Sequence, residues 1–75
     1  MSKPCKHSVL IHSHRTSFTL EDEFWTAFQE IAKQRGQSIG ALICEIDDYR
    51  QANLSSAIRV FVLKTLQEII NQKQP

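Results

Sequence analysis

The chain has 75 residues, 41% of them apolar, with a net charge of +1, two Gly, two Pro and two Cys. So short a domain buries only about 60% of its unfolded surface when folding alone, and this apolar share points to a core completed by a second copy. No apolar run approaches the about 18 residues of a membrane helix, and two cysteines are too few for a disulfide scaffold.

The opening MSKPCKHSVLIHSHR has no long apolar stretch followed by a small-residue cleavage site, so the expected compartment is the reducing cytoplasm. A catalytic pocket is hard to carve from so small a core. The expectation is no enzyme, with no cofactor, metal or catalytic residue assigned. Charge is unevenly placed: residues 1–20 carry Lys3, Lys6 and Arg15 and no acid, while residues 21–75 carry six bases and eight acids. A basic N-terminal part on a mildly acidic body suits an anionic partner.

In chain order, residues 1–7 show no periodicity and read as a flexible arm, leaving 8–75 as the domain. Residues 8–20, SVLIHSHRTSFTL, favour a strand. Over its last six positions Arg15, Ser17 and Thr19 share one face, and Thr16, Phe18 and Leu20 the other. At Glu21 the period changes from 2 to 3.6. Leu20, Phe24, Phe28, Ile31 and Ala32 form a helical stripe, acids occupy the first turn, and Gly36 supplies the stop. The first helix is therefore expected over about Glu21–Arg35.

Ser38 is a good cap for a second helix spanning about Ile39–Arg50. After the break Gln51-Ala52-Asn53, Asn53 or Ser55 can start a third helix that is apolar over more than half its circumference between Ala57 and Leu66. A helix on the outside of a monomer needs a narrower stripe, so the excess suggests burial between subunits.

A lone strand leaves its backbone groups unpaired, and the economical solution is an antiparallel ribbon with the same strand of a second chain. One face would then pack on the helices, and the other would present Arg15, Ser17 and Thr19. A two-stranded ribbon fits the major groove of double-stranded DNA, where Arg reads guanine and Ser or Thr bonds either base type. The residues expected to form the dimer core are Phe18, Leu20, Phe24, Phe28, Leu42, Ile46 and Phe61. Lys6, on the arm, would add a phosphate or base contact.

The run RTSFTLEDEFWTAFQEIAKQRGQSIGALI closely resembles the ribbon-helix-helix repressors, the class of the Arc, methionine and plasmid copy-number repressors. The longer pattern HRTSFTLEDEFW…EID…NLSSAIRVFVL is similar to short bacterial ribbon-helix-helix proteins with a C-terminal helical extension, over about residues 13–66. The resemblance implies a homodimeric, mainly α protein with a β-α-α order plus a third helix, which regulates transcription as a repressor. It implies base reading by Arg15, Ser17 and Thr19, inward packing by Thr16, Phe18 and Leu20, and a phosphate anchor at the backbone of Ser38 and Ile39. Free N–H groups at a helix start do bind phosphate. A symmetric dimer implies an inverted-repeat site, or two dimers side by side on DNA.

Other groups read as structural. Cys5, His7, His12 and His14 are metal-ligand types, but their spacing fits no zinc pattern. Glu45 and Asp48 share a helix face without a nucleophile or base partner, so an acidic solvated face meeting Arg50 or Arg59 is expected. Cys44 is expected to be a small buried hydrophobe. The competing function is a dimeric helical protein-interaction module, antitoxin-like or a scaffold, with a protein partner and no DNA reading.

Overall fold

A computed structural model describes residues 3–73. Residues 1–2 and 74–75, the ends of the expected arm and domain, lie outside the described residues. Two strands, β1 (Cys5–Ile11) and β2 (His14–Leu20), are followed by three helices, α1 (Asp22–Arg35), α2 (Ile39–Tyr49) and α3 (Leu54–Lys73).

Two expectations are corrected at once. The stretch 8–20 is not one strand, because His12 and Ser13 turn the chain back on itself. The arm is also shorter than residues 1–7, because Cys5, Lys6 and His7 already belong to β1. The strands pair antiparallel from Cys5↔Leu20 to Ile11↔His14, so β2 finds its partner in its own chain. His12 and Ser13 take φ values of 50° and 69°, the left-handed pair demanded by a two-residue turn that matches strand twist. Such turns usually carry Asn-Gly or Gly, and the strain of an L-residue there runs to about 1–2 kcal/mol. Ser13→Gly is accordingly expected to stabilise the domain by about 1 kcal/mol. In a chain of this length that raises the melting temperature by roughly 5 °C, measured by circular dichroism.

Each remaining boundary has a local cause. Gly36 at φ 68° ends α1, with its N–H donating to the Lys33 carbonyl and the Gln37 N–H to that of Ala32, the paired bonds of a left-handed helix cap. Ser38 opens α2, its Oγ accepting the Ala41 N–H at 3.1 Å. Asn53 opens α3, its Oδ1 accepting the Ser56 N–H at 2.9 Å. Tyr49 closes α2, one residue short of the expected end, with Arg50 as its extended cap.

The hairpin lays one face on the helices, and α3 packs against α1, α2 and β2. Leu20, Phe28, Leu42, Ile43, Ile58 and Val62 are fully buried, each contributing roughly 1.5–3 kcal/mol of apolar burial. Of the seven residues expected in a dimer core, Phe18, Leu20, Phe28, Leu42 and Ile46 are buried within one chain. Phe24 and Phe61 are half-buried against them. The hairpin supplies the cover that a second copy was expected to provide. Cys44 is half-buried rather than buried, at the edge of the same core.

The excess apolar surface of α3 is present. Leu54, Ile58 and Val62 face inward; Val60 and Leu63 are exposed on the other side, and Leu66 and Ile70, which continue the inward row at a spacing of four, are exposed as well.

Candidate nucleic-acid interface

Cross-strand partners in a hairpin lie on the same face, so the register fixes what the ribbon shows to each side. Cys5 and Leu20, His7 and Phe18, Val9 and Thr16, and Ile11 and His14 form the inner pairs. Lys6 and Thr19, Ser8 and Ser17, and Leu10 and Arg15 form the outer ones. All six outer residues are exposed. The outer face thus carries two bases, three hydroxyls and one leucine, and no acid.

Arg15, Ser17 and Thr19 stand together as expected, and the pairing brings Lys6 beside Thr19. Ser8 and Leu10 are additions that sequence reading missed. Their signal is the alternation of Lys6, Ser8 and Leu10 against His7, Val9 and Ile11, which is hidden when residues 5–7 read as part of an arm.

The inner face is held by aromatic stacking. His7 lies on Trp25 at 4.0 Å between ring centroids and beside Phe18 at 5.3 Å. Its Nε2 is buried among described residues that offer it no hydrogen bond. His12, at the turn, contacts Asp48 at 3.7 Å. Among the described residues no three His, Cys, Asp or Glu side chains converge on one point. Cys5 Sγ lies 3.7 Å from Asp22 Oδ1, and the Asp22 carboxylate is the main reason its thiol is raised above its ordinary value.

The far end of the ribbon is fastened by α3. The Thr19 N–H donates to Ser55 Oγ at 2.9 Å, and the Thr19 carbonyl accepts from Arg59 Nη2 at 3.2 Å. Arg59 Nε also donates to Glu21 Oε1 at 2.9 Å. These bonds occupy the outer edge of β2 at Thr19 and anchor one end of the polar face. Arg59 is thereby committed to Glu21 and Thr19 instead of the acids of α2. There, Arg35 pairs with Glu45 at 3.6 Å and Arg50 with Asp47 at 2.6 Å.

The hydrogen bond from Arg59 is the first cause holding the Glu21 carboxyl below its ordinary value of 4.5. A lowered folded-state value stabilises the fold above the unfolded-state value and loses that contribution as pH falls through the folded one. Glu21→Gln should therefore be less stable than the wild type at neutral pH. The gap should close as the solution is acidified below about pH 4.5, seen in melting temperatures across a pH series.

Ser38 and Ile39 lie apart from the hairpin turn. They open α2, whereas the turn touches Asp48 near its other end, about 15 Å away along the helix. Ser38 is exposed and caps Ala41. The first-turn N–H groups of Ile39 and Gly40 have no intrahelical acceptor by construction, so this helix start can take an oxyanion.

The sequence from residue 4 to 66 matches the ribbon-helix-helix domain family. The chain belongs to this family, whose members are in general DNA-binding regulators of transcription. No curated protein and no solved structure matches it. Among the described residues no helix is long and apolar enough to cross a membrane.

Proposed function

We propose that this protein is a sequence-specific DNA-binding regulator, a bacterial cytoplasmic repressor that reads the major groove with its β1–β2 ribbon. The observation that carries this reading is the outer face of the hairpin. It is polar, free of acid, and presents Lys6, Arg15, Ser17 and Thr19 side by side. A two-stranded ribbon enters a groove about 12 Å wide, and Arg in such a place bonds guanine O6 and N7. The α2 start at Ser38 and Ile39, about 15 Å along the helix from the hairpin turn, supplies a separate phosphate anchor.

The working unit is a homodimer. Because each hairpin is already two strands wide, an intermolecular ribbon is not required for groove entry, and the dimer's role is to set two ribbons on an inverted repeat. Support for a dimer comes from α3, where Val60, Leu63, Leu66 and Ile70 are each exposed by 41% or more. Such a stripe on a soluble domain marks an interface.

The test is enrichment of bound sequences from a random double-stranded DNA pool at low salt, with Arg15→Ala in parallel. An inverted repeat recovered by the wild type and lost by the variant supports the reading. No enrichment from a folded protein sinks it. With about four to six of the Lys3, Lys6 and Arg15 side chains of two chains engaged, the slope of log K against log salt should be roughly −4 to −5. A slope near zero would remove the ribbon from DNA.

The second reading, a dimeric protein-interaction module, is favoured by one feature. An open hollow of about 540 Å³ between α2 and α3 is lined by Tyr49, Arg50, Val60, Phe61 and Lys64 among others, and Tyr49 is 84% exposed. That module predicts no change of function in Arg15→Ala.

A further inference from the structure

Leu10 is out of character with its surroundings. It sits on the outer, polar face of the ribbon, 63% exposed, in a strand whose other aliphatic residues, Val9 and Ile11, are half-buried and buried. Its cross-strand partner is Arg15. With Ser8 and Val9 these two line a shallow hollow of about 140 Å³ on the ribbon. Leu10 therefore adds nothing to the core, and by itself it leaves branched apolar surface facing water.

We propose that Leu10 is a specificity-determining residue of the ribbon, one that contacts a thymine methyl group next to the base read by Arg15. The proposal rests on the DNA reading given above and extends it to β1. The C5-methyl of thymine is the one apolar feature that a base edge presents in the major groove, and apolar side chains recognise it by contact.

The register supplies the geometry. Directly opposed residues of an antiparallel pair have Cα atoms about 4.5–5.5 Å apart, comparable with the 3.4 Å rise between successive base pairs on one strand. A ribbon that aims Arg15 at a guanine thus brings Leu10 to the same or a neighbouring base pair. The aliphatic stem of Arg15 can lie along Leu10 while its guanidinium reaches outward, as long basic side chains do on apolar surface. Ser8 and Ser17, the next outer pair, extend the same face with hydroxyls that accept either base type.

Deoxyuridine isolates the effect, because it removes the methyl group and leaves every hydrogen-bonding atom of the base in place. The sequence selected from the random pool is resynthesised with each thymine replaced in turn by deoxyuridine, and binding of each duplex is measured. One position per half-site, adjacent to an Arg15-dependent guanine, should weaken wild-type binding about three- to fivefold, the worth of one buried methyl. Leu10→Ala should bind the thymine and deoxyuridine duplexes alike at that position, with its circular dichroism spectrum unchanged.

Wild-type binding that tolerates deoxyuridine at every thymine, with the selected site still preferred, overturns the role of Leu10 and leaves the DNA reading intact. A wild type that selects no sequence overturns both. A wild type that tolerates deoxyuridine overturns the role without any variant; a wild-type loss that persists in Leu10→Ala assigns the methyl contact to another outer-face group, such as the Thr19 methyl, and overturns it too.

Discussion

Arg15→Ala is expected to lower affinity for the selected DNA site about ten- to a hundredfold, with the oligomeric state and melting temperature unchanged. A good bidentate contact from Arg to guanine discriminates by about 1–3 kcal/mol. The structural part of the expectation follows from position, since Arg15 is exposed on the outer face and no ion pair recorded among the described residues includes it. Its removal should also flatten the preference at one base position in each half-site and reduce the salt dependence. Gel-shift titration against matched and mismatched duplexes reads both quantities. Equal loss of affinity on all sequences would instead make Arg15 a phosphate contact.

Phe18→Asp should unfold the domain, whereas Ser17→Asp, one residue away, should leave it folded and only repel DNA. Phe18 is 3% exposed, stacks beside His7 and lies tilted against Trp25. An aspartate there must lose its hydration in a pocket lined by rings, or drag the ribbon off the helices. Either costs several kcal/mol, comparable with the whole stability of a domain this size, about 5 kcal/mol. Ser17 points the other way and is exposed, so its replacement meets water. Circular dichroism and thermal melts of the two variants measure the register directly. A folded Phe18→Asp would mean that β2 is shifted by one residue, which exchanges its two faces.

Much of this was legible in the chain. The switch of period at Glu21, the Gly36 stop, the Ser38 and Asn53 caps and the inward set Thr16, Phe18 and Leu20 all follow from side-chain chemistry. What escaped was the hairpin. Its turn is His12-Ser13, not the Asn-Gly or Gly that advertises a left-handed pair, so VLIHSHRT reads as continuous strand. With the turn invisible, β2 has no partner legible in its own chain, and pairing with a second chain is the economical expectation. The roles of Ser55 and Arg59 were hidden for a different reason. They are ordinary polar residues of a helix, and only the arrival of α3 against β2 gives them Thr19 to bind.

That junction sets an order of events in time. The turn at His12-Ser13 and the link at Gly36-Gln37 join neighbours, but Thr19 meets Ser55 and Arg59 across 36 and 40 residues of chain. Closing so long a loop is entropically the slower step, so hairpin and helices can assemble locally before α3 locks the ribbon's far end. The Thr19 amide is a built-in reporter of that lock: its hydrogen exchange should slow only when α3 is docked. Exchange of that amide that slows in step with the rest of the hairpin would instead show ribbon and α3 forming together.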